Sequence, residues 1–191
     1  MKRFLDIFVS VIGLLLLLWL FAIVALLIKL DSAGPVFYRQ TRVGKDGRDF
    51  SIFKFRTMRT DADKGSLITV GKCDCRVTRV GQFLRRTKID ELPQLINVML
   101  GDMSLVGPRP EVRRYVDLYT PKQLHVLDVR PGITDPASIK YRNENEILGA
   151  VDDPQRYYVD VIMQDKLALS LQYIEEQSMI GDLKLIWKTV R

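Results

Sequence analysis

The chain is poor in the residues on which many enzyme mechanisms run. It has one histidine, His125, and two cysteines, Cys73 and Cys75, one residue apart. A single histidine argues against a Ser-His-Asp or Cys-His relay and leaves carboxylates as the obvious reactive side chains. Zinc would need further ligands than this pair, so the cysteines read as reduced cytosolic thiols rather than a metal site or a disulfide. Internal repeats, low-complexity tracts and a composition break that would mark a second domain are also lacking. At 191 residues the chain is one domain of ordinary size, able to bury a core.

Charge is missing from one long stretch, residues 7 to 28. A helix of that length spans about 33 Å, enough for the hydrocarbon core of a bilayer. Its Leu, Ile, Val and Phe residues favour insertion by about 5 to 10 kcal/mol at mid-membrane values. A buried helix of a soluble core is the alternative reading. The run is too long for a signal peptide, and Ser32-Ala33-Gly34 followed by Pro35 is a poor cleavage site, so an uncleaved anchor is expected. Lys2 and Arg3 precede the run. Between residues 29 and 59 eight Lys or Arg stand against three Asp, which accounts for most of the formal charge of +6. Both flanks therefore ask for the cytoplasmic side, and a segment that dips in and returns satisfies both. The basic block can face anionic headgroups or an anionic substrate. Nucleic acid is disfavoured, because the basic residues abut the anchor and no nucleic-acid motif accompanies them.

The most informative stretch is Arg86 to Met103. Asp90 and Glu91 stand together before Leu92, Leu95, Ile96 and Met99, spaced as one buried helical face. Pro93 suits a first turn and Gly101 a stop. Asp90 is placed as the N-cap, where the helix dipole keeps a carboxylate ionised and draws phosphate towards it. That reading leaves both a plain cap and a catalytic acid open.

Around this helix the pattern predicts strands over 36–38 and 50–55, joined by the turn Gly44-Lys45-Asp46-Gly47. Lys54 and Arg56 would share a cationic face opposite Phe53 and Phe55. Residues 60–75 read as a loop and 77–86 as a short helix carrying Arg79, Arg85 and Arg86. In Gly107-Pro108-Arg109-Pro110 two prolines restrict the backbone around Arg109, which suits either a bidentate grip on phosphate or a structural arginine. Residues 130–136 form another rigid loop. Residues 154–191 return to helical spacing, for packing on a core or lying in a membrane interface.

Taken in order, these motifs resemble the bacterial sugar transferase family, the monotopic polyprenyl-phosphate phosphoglycosyl transferases, in the small form made of the catalytic unit alone. The likeness runs through Lys29-Leu30-Asp31-Ser32, Gly34-Pro35-Val36-Phe37-Tyr38-Arg39-Gln40 and Phe53-Lys54-Phe55-Arg56-Thr57-Met58-Arg59. It continues in Asp90-Glu91-Leu92-Pro93-Gln94-Leu95, Gly107-Pro108-Arg109-Pro110, Arg130-Pro131-Gly132-Ile133-Thr134 and Lys166-Leu167. The resemblance implies an α+β, mostly helical fold, with a membrane-inserted and re-entrant helix in residues 1–30. A cytoplasmic catalytic unit follows in 31–191, with a small β-hairpin and amphipathic interfacial helices. It implies transfer of a phosphosugar from a UDP-sugar to polyprenyl (undecaprenyl) phosphate with release of UMP, at the cytoplasmic face of a bacterial inner membrane, in surface-glycan assembly. Asp90 is then the nucleophile and Glu91 its partner, both with Mg²⁺. Lys54, Arg85, Arg109 and Arg142 are the phosphate-binding candidates. Phosphoryl transfer needs positioning and charge neutralisation more than a strong base, so the residues suit the chemistry.

Two departures stand out. Family members often carry Ser-Pro in the membrane helix where this chain has Leu18-Trp19, and Gly71-Lys72-Cys73-Asp74-Cys75 replaces a stretch that usually lacks cysteine. Two rival functions remain. A metal-dependent glycosyltransferase would use Asp61 and Asp63 of Asp61-Ala62-Asp63 and release UDP. A non-enzymatic, membrane-tethered lipid-binding adaptor would not need Asp90 and Glu91.

Overall fold

The computed structural model describes residues 2–60 and 75–190. The Asp61-Ala62-Asp63 motif and Cys73 lie outside them. The uncharged run is not one helix but two, α1 (Lys2–Leu16) and α2 (Leu18–Asp31), bent by 60° at Leu17. No proline is involved. The two halves dock on different partners. Gly13 of α1 packs on Leu95, whereas Val24 and Ile28 of α2 enter a core with Phe55 and Leu84. Among the described residues no single helix is long and apolar enough to cross a membrane; the bent pair together meets the length and composition of a span.

α1 is amphipathic in an inverted sense. Its buried positions are Asp6 and Ser10, while Phe4, Leu15 and Leu16 are about 70% exposed. On α2, Leu18, Trp19, Leu26 and Leu30 are exposed as well. The first turn of α1 is pinned to four successive residues. Arg3 donates to the Met103 carbonyl at 3.3 Å and Lys2 to that of Val106 at 2.8 Å. Asp6 accepts from the Ser104 hydroxyl at 2.8 Å and the Leu105 N–H at 3.2 Å. The cations read from sequence as topology signals are therefore spent on protein contacts, and Lys2 also pairs with Asp182 at 2.8 Å. At the other end of the pair Arg56 is buried and donates to the Ile28, Ser32 and Ala33 carbonyls, closing the C-terminus of α2.

The hairpin is longer than its apolar pattern predicts. β1 (Phe37–Val43) pairs antiparallel with β2 (Asp49–Phe55) in a register running from Phe37–Phe55 to Val43–Asp49. Lys54 and Ile52 share one face by their alternation, and Ile52 is buried in a core with Val98 and Met103. Lys54 thus points inward, and Arg56 lies beyond the end of β2, so the expected cationic outer face does not form. On the other face Arg39 stacks 4.6 Å over the Phe53 ring.

The predicted short helix is α3 (Arg79–Thr87), capped by the Thr78 hydroxyl, which accepts from Gly81 N–H at 3.0 Å. A Cβ on Gly81 would lie 2.0 Å from the Thr57 carbonyl, so only glycine allows α3 this close to the end of β2. The central helix starts later than expected. Ile89–Glu91 is a single 3₁₀ turn, and α4 spans Gln94–Leu100, with Pro93 and not Asp90 at its N-cap. Its buried face is also turned, carrying Gln94, Asn97 and Val98, while Met99 is exposed. Asn97 explains the turn. Its amide donates to the Ser51 carbonyl at 2.8 Å and accepts from the Phe53 N–H at 2.9 Å, tying α4 to β2.

Beyond α4 come β3 (Ser104–Val106), α5 (Arg113–Val116) and β4 (Gly132–Thr134). β3 and β4 are a short parallel pair, and β4 lies within residues 130–136, where a rigid loop is expected from sequence. They cross so closely that a Cβ on Gly132 would meet the Gly107 nitrogen at 2.1 Å. The C-terminal region is α6 (Pro136–Lys140), α7 (Glu144–Leu148), α8 (Pro154–Tyr157), a π turn (Tyr158–Ile162), α9 (Met163–Glu175) and α10 (Met179–Val190). Their core gathers Tyr115, Leu148, Tyr158, Ile162 and Leu167. α10 leaves Ile180, Leu183 and Trp187 exposed at helical spacing.

Candidate active site

The left-handed residue Lys88 (φ 59°) ends α3 and turns the chain into the 3₁₀ turn that holds the acidic pair. Asp90 is 8% exposed, and its Oδ1 is buried with no hydrogen-bond partner. Burial and the neighbouring Glu91 charge push its carboxyl above the ordinary range, against the pull of Lys54, Lys88 and Arg85. The helix cap expected to favour the charged form is not made by Asp90, since Pro93 holds that position. The side-chain amide nitrogen of Gln94, one turn on and 1% exposed, is likewise buried without a partner.

Glu91 lives in the opposite environment. Lys54 Nζ donates to its Oε1 at 3.0 Å, and Arg109 grips both oxygens, Nη1 on Oε2 at 3.2 Å and Nη2 on Oε1 in a shorter contact. Burial works to raise the Glu91 carboxyl, but Arg109 and Lys54 outweigh it and hold it well below the carboxylate range. Burial lowers the Lys54 ammonium despite Glu91. Glu91 holds the Arg109 guanidinium above its ordinary value. Two adjacent acids are thus driven apart: Glu91 is clamped as an anion, and the Asp90 carboxyl is shifted the other way, upward.

Three elements converge here. β2 delivers Lys54, the 3₁₀ turn delivers Asp90 and Glu91, and the strap after β3 delivers Arg109. Arg85 lies alongside, its Nε donating to Thr57 Oγ1 at 2.9 Å. Arg142 is elsewhere in its bonding, donating to the Thr189 carbonyl near the end of α10 at 2.8 Å. Lys54, Asp90, Glu91 and Arg109 therefore form one cluster, Arg85 is close enough for its charge to act on Asp90, and no contact joins Arg142 to it among the described residues. The apolar periodicity of this helix does not point to the amides of Gln94 and Asn97, which are buried. A visible signal existed, since two amides on one face of an apolar helix need partners.

A divalent cation is compatible with the donor type. Mg²⁺ takes hard oxygens, with few from the protein and several from substrate phosphates. Asp90 offers a free oxygen, while both Glu91 oxygens are engaged by cations. No group of three or more acidic, histidine or cysteine side chains gathers as a ligand set among the described residues.

Arg109→Lys tests the clamp. Lysine keeps the charge but loses the planar fork that holds both Glu91 oxygens. Turnover should fall about 100-fold while the folded fraction, read by circular dichroism, is unchanged. Near-normal turnover would make Arg109 a structural residue.

Known proteins similar to this chain point to one family. The model of a family described as bacterial sugar transferase matches residues 1–191. The exopolysaccharide production protein PSS of Rhizobium leguminosarum bv. phaseoli is 41% identical over 197 residues, covering 100% of this chain and 93% of that protein. A UDP-glucose:undecaprenyl-phosphate glucose-1-phosphate transferase of Caulobacter vibrioides is 38% identical over 99% of this chain and 68% of its own length. A UDP-N-acetylgalactosamine-undecaprenyl-phosphate N-acetylgalactosaminephosphotransferase of Aeromonas hydrophila is 39% identical over 100% of this chain, which spans only 43% of that longer protein. With the match running from end to end, the chain belongs to the bacterial sugar transferase family.

Proposed function

We propose that the protein moves a phosphosugar from a UDP-sugar to undecaprenyl phosphate, releasing UMP, through a covalent phosphosugar on Asp90. The donors and acceptor are those in the relatives' names. The observation that carries the covalent step is the division of labour between the two acids. Glu91 is fully engaged by Lys54 and Arg109, whereas Asp90 keeps an oxygen without a partner. In the first step an Asp90 carboxylate oxygen bonds to the sugar-bearing phosphorus, and the bond from that phosphorus to the bridging oxygen breaks. UMP leaves with the electron pair. In the second step a phosphate oxygen of the polyprenyl phosphate bonds to the same phosphorus, and the Asp90 carboxylate departs. Each displacement is easier than a direct transfer between two anions.

The other residues have roles that their placement supports. Glu91 holds Lys54 and Arg109 in a half-buried site, where positive charge meets phosphate oxygens with little competition from water. Arg85 flanks the nucleophile and moderates its basicity. Arg142 is the weakest of the candidates for phosphate, its guanidinium being bonded to Thr189. Mg²⁺ would be held by Asp90 and, by displacing Lys54 or Arg109, Glu91, and it would neutralise charge on the diphosphate. The experiment is a donor panel including UDP-glucose and UDP-N-acetylgalactosamine. Purified protein without acceptor should release UMP up to about one equivalent. Release of UDP instead would favour the metal-dependent glycosyltransferase.

The placement of both ends of the helix pair supports a re-entrant segment at the cytoplasmic face. Lys2 and Asp6 are bonded to residues 104–106, and the α2 carbonyls to Arg56, so the pair leaves and returns to the same body of protein. Its apolar residues face outward, as a lipid-facing element requires, on a surface too extensive for ordinary solvent contact. A cysteine introduced beside Met1, in a background with Cys73→Ser and Cys75→Ser, should be labelled only from the cytoplasmic side. Periplasmic labelling would replace this topology by a plain crossing.

A further inference from the structure

Immediately behind Arg109 lies a carboxylate for which the transfer chemistry has no use. Glu111 is half-buried and spends every bond on holding the chain in place. Its Oε1 accepts from Arg42 Nη1 at 2.9 Å and from the Val112 N–H at 2.8 Å, and its Oε2 accepts from the Tyr158 hydroxyl. Its backbone carbonyl accepts from the Val43 N–H at 2.8 Å, at the end of β1. Arg42 also donates to the Pro110 carbonyl at 3.3 Å, and its fork is steadied by Gln40. Residues 110–112 are therefore tied on one side to the hairpin that delivers Lys54, and on the other to the C-terminal core.

Tyr158 is the unusual member. It opens the π turn, in which the Met163 N–H reaches back five residues to the Tyr158 carbonyl. Such wide turns are rare and cluster at functional sites. Here the turn sits beside the core while the Tyr158 ring packs 5.0 Å from Tyr115 and its hydroxyl reaches Glu111. Burial and Glu111 raise the phenol far above its ordinary value, so it remains a donor at any working pH.

We propose that Glu111 and Tyr158 are positioning residues of the transferase: through residues 108–111 they set the angle and distance at which Arg109 meets Glu91. The proposal rests on the reading of Glu91 and Arg109 as part of the active site. With prolines on both sides of Arg109, two φ angles are fixed, so small displacements at Glu111 are less readily absorbed by local backbone rotation and are passed on towards the guanidinium. Loss of about 1 Å in such placement is enough to slow a positioned reaction markedly.

Tyr158→Phe removes the hydroxyl and keeps the ring in its packing, and Glu111→Gln keeps the shape and removes the charge. Each should lower kcat about 5- to 20-fold, with KM for the UDP-sugar changed less than about twofold. The deciding measurement is a double-mutant cycle with Arg109→Lys, read on both turnover and the thermal midpoint. If Tyr158 acts through Arg109, Tyr158→Phe costs nothing further in the Arg109→Lys background, and the two shifts in midpoint are coupled. Additive losses would overturn the proposal, as would a loss in Tyr158→Phe alongside normal turnover in Arg109→Lys. A wild-type protein that releases UMP from no donor would refute the proposed reaction instead. The positioning claim would then be decided by the midpoint cycle, where additivity refutes it.

Discussion

Asp90→Asn is expected to abolish the UMP burst and the phosphosugar adduct while making the protein more stable. Asparagine matches aspartate in size but has no anionic oxygen with which to attack phosphorus. The stability gain follows from the site. Asp90 is 8% exposed, has an unpartnered oxygen, and sits beside an ionised glutamate. Its folded pKa therefore lies above its unfolded value. A group shifted in that direction subtracts stability when ionised at neutral pH. The deficit disappears as pH falls below the unfolded carboxyl value of about 3.9. The variant should have the higher thermal midpoint at pH 7.5 and no advantage near pH 3. Intact-protein mass spectrometry and thermal scans at the two pH values check both halves. The same shift places the acid limb of wild-type turnover above the ordinary carboxylate range, because attack needs the ionised form. An adduct retained in Asp90→Asn, or initial rates requiring both substrates in one ternary complex, would make Asp90 and Glu91 magnesium ligands for direct transfer.

Glu91→Gln should have the opposite effect on stability, although the residue is adjacent. Removing the charge leaves Lys54 and Arg109 facing each other, with side chains only 20% and 35% exposed. Breaking a buried pair from one side costs about 3 kcal/mol, or about 6–12 °C in thermal midpoint. Glu91 has a folded pKa below its unfolded value. Its stabilisation is full above the unfolded value of about 4.3 and fades as pH falls through the lower folded value. The gap between wild type and variant should therefore close in acid. Lys54→Met in the Glu91→Gln background should recover part of the loss, since one of the two unpaired cations is gone. An unchanged midpoint in Glu91→Gln would show that water already solvates the clamp. Turnover should fall with stability but be measurable at a temperature where both proteins are folded.

Much of this molecule was legible in its residues. The uncharged run, the hairpin with its Gly44–Gly47 turn, the short helix before the acidic pair and the pairing of Asp90 with Glu91 are local features, each encoded within a few positions. The likeness to a family is also a property of the sequence, since it rests on the order of motifs. What sequence periodicity could not supply was anything set by partners distant along the chain. The 60° bend at Leu17 arises because the two half-helices dock on different elements. β3 and β4 are three residues each, too short for a pattern, and form only because Gly107 and Gly132 let the strands touch. The buried face of α4 carries Gln94, Asn97 and Val98 and leaves Met99 exposed, because Asn97 bonds the edge of β2. Lys54 turned inward because Glu91 awaits it there, and Arg56 went to the end of α2 instead of a shared cationic face. The contrast between the two acids is tertiary in origin. Asp90 and Glu91 are neighbours with similar chemistry, and only the strap and the hairpin, which bring two cations to one of them and none within hydrogen-bonding reach of the buried oxygen of the other, make one a fixed anion and the other a candidate nucleophile.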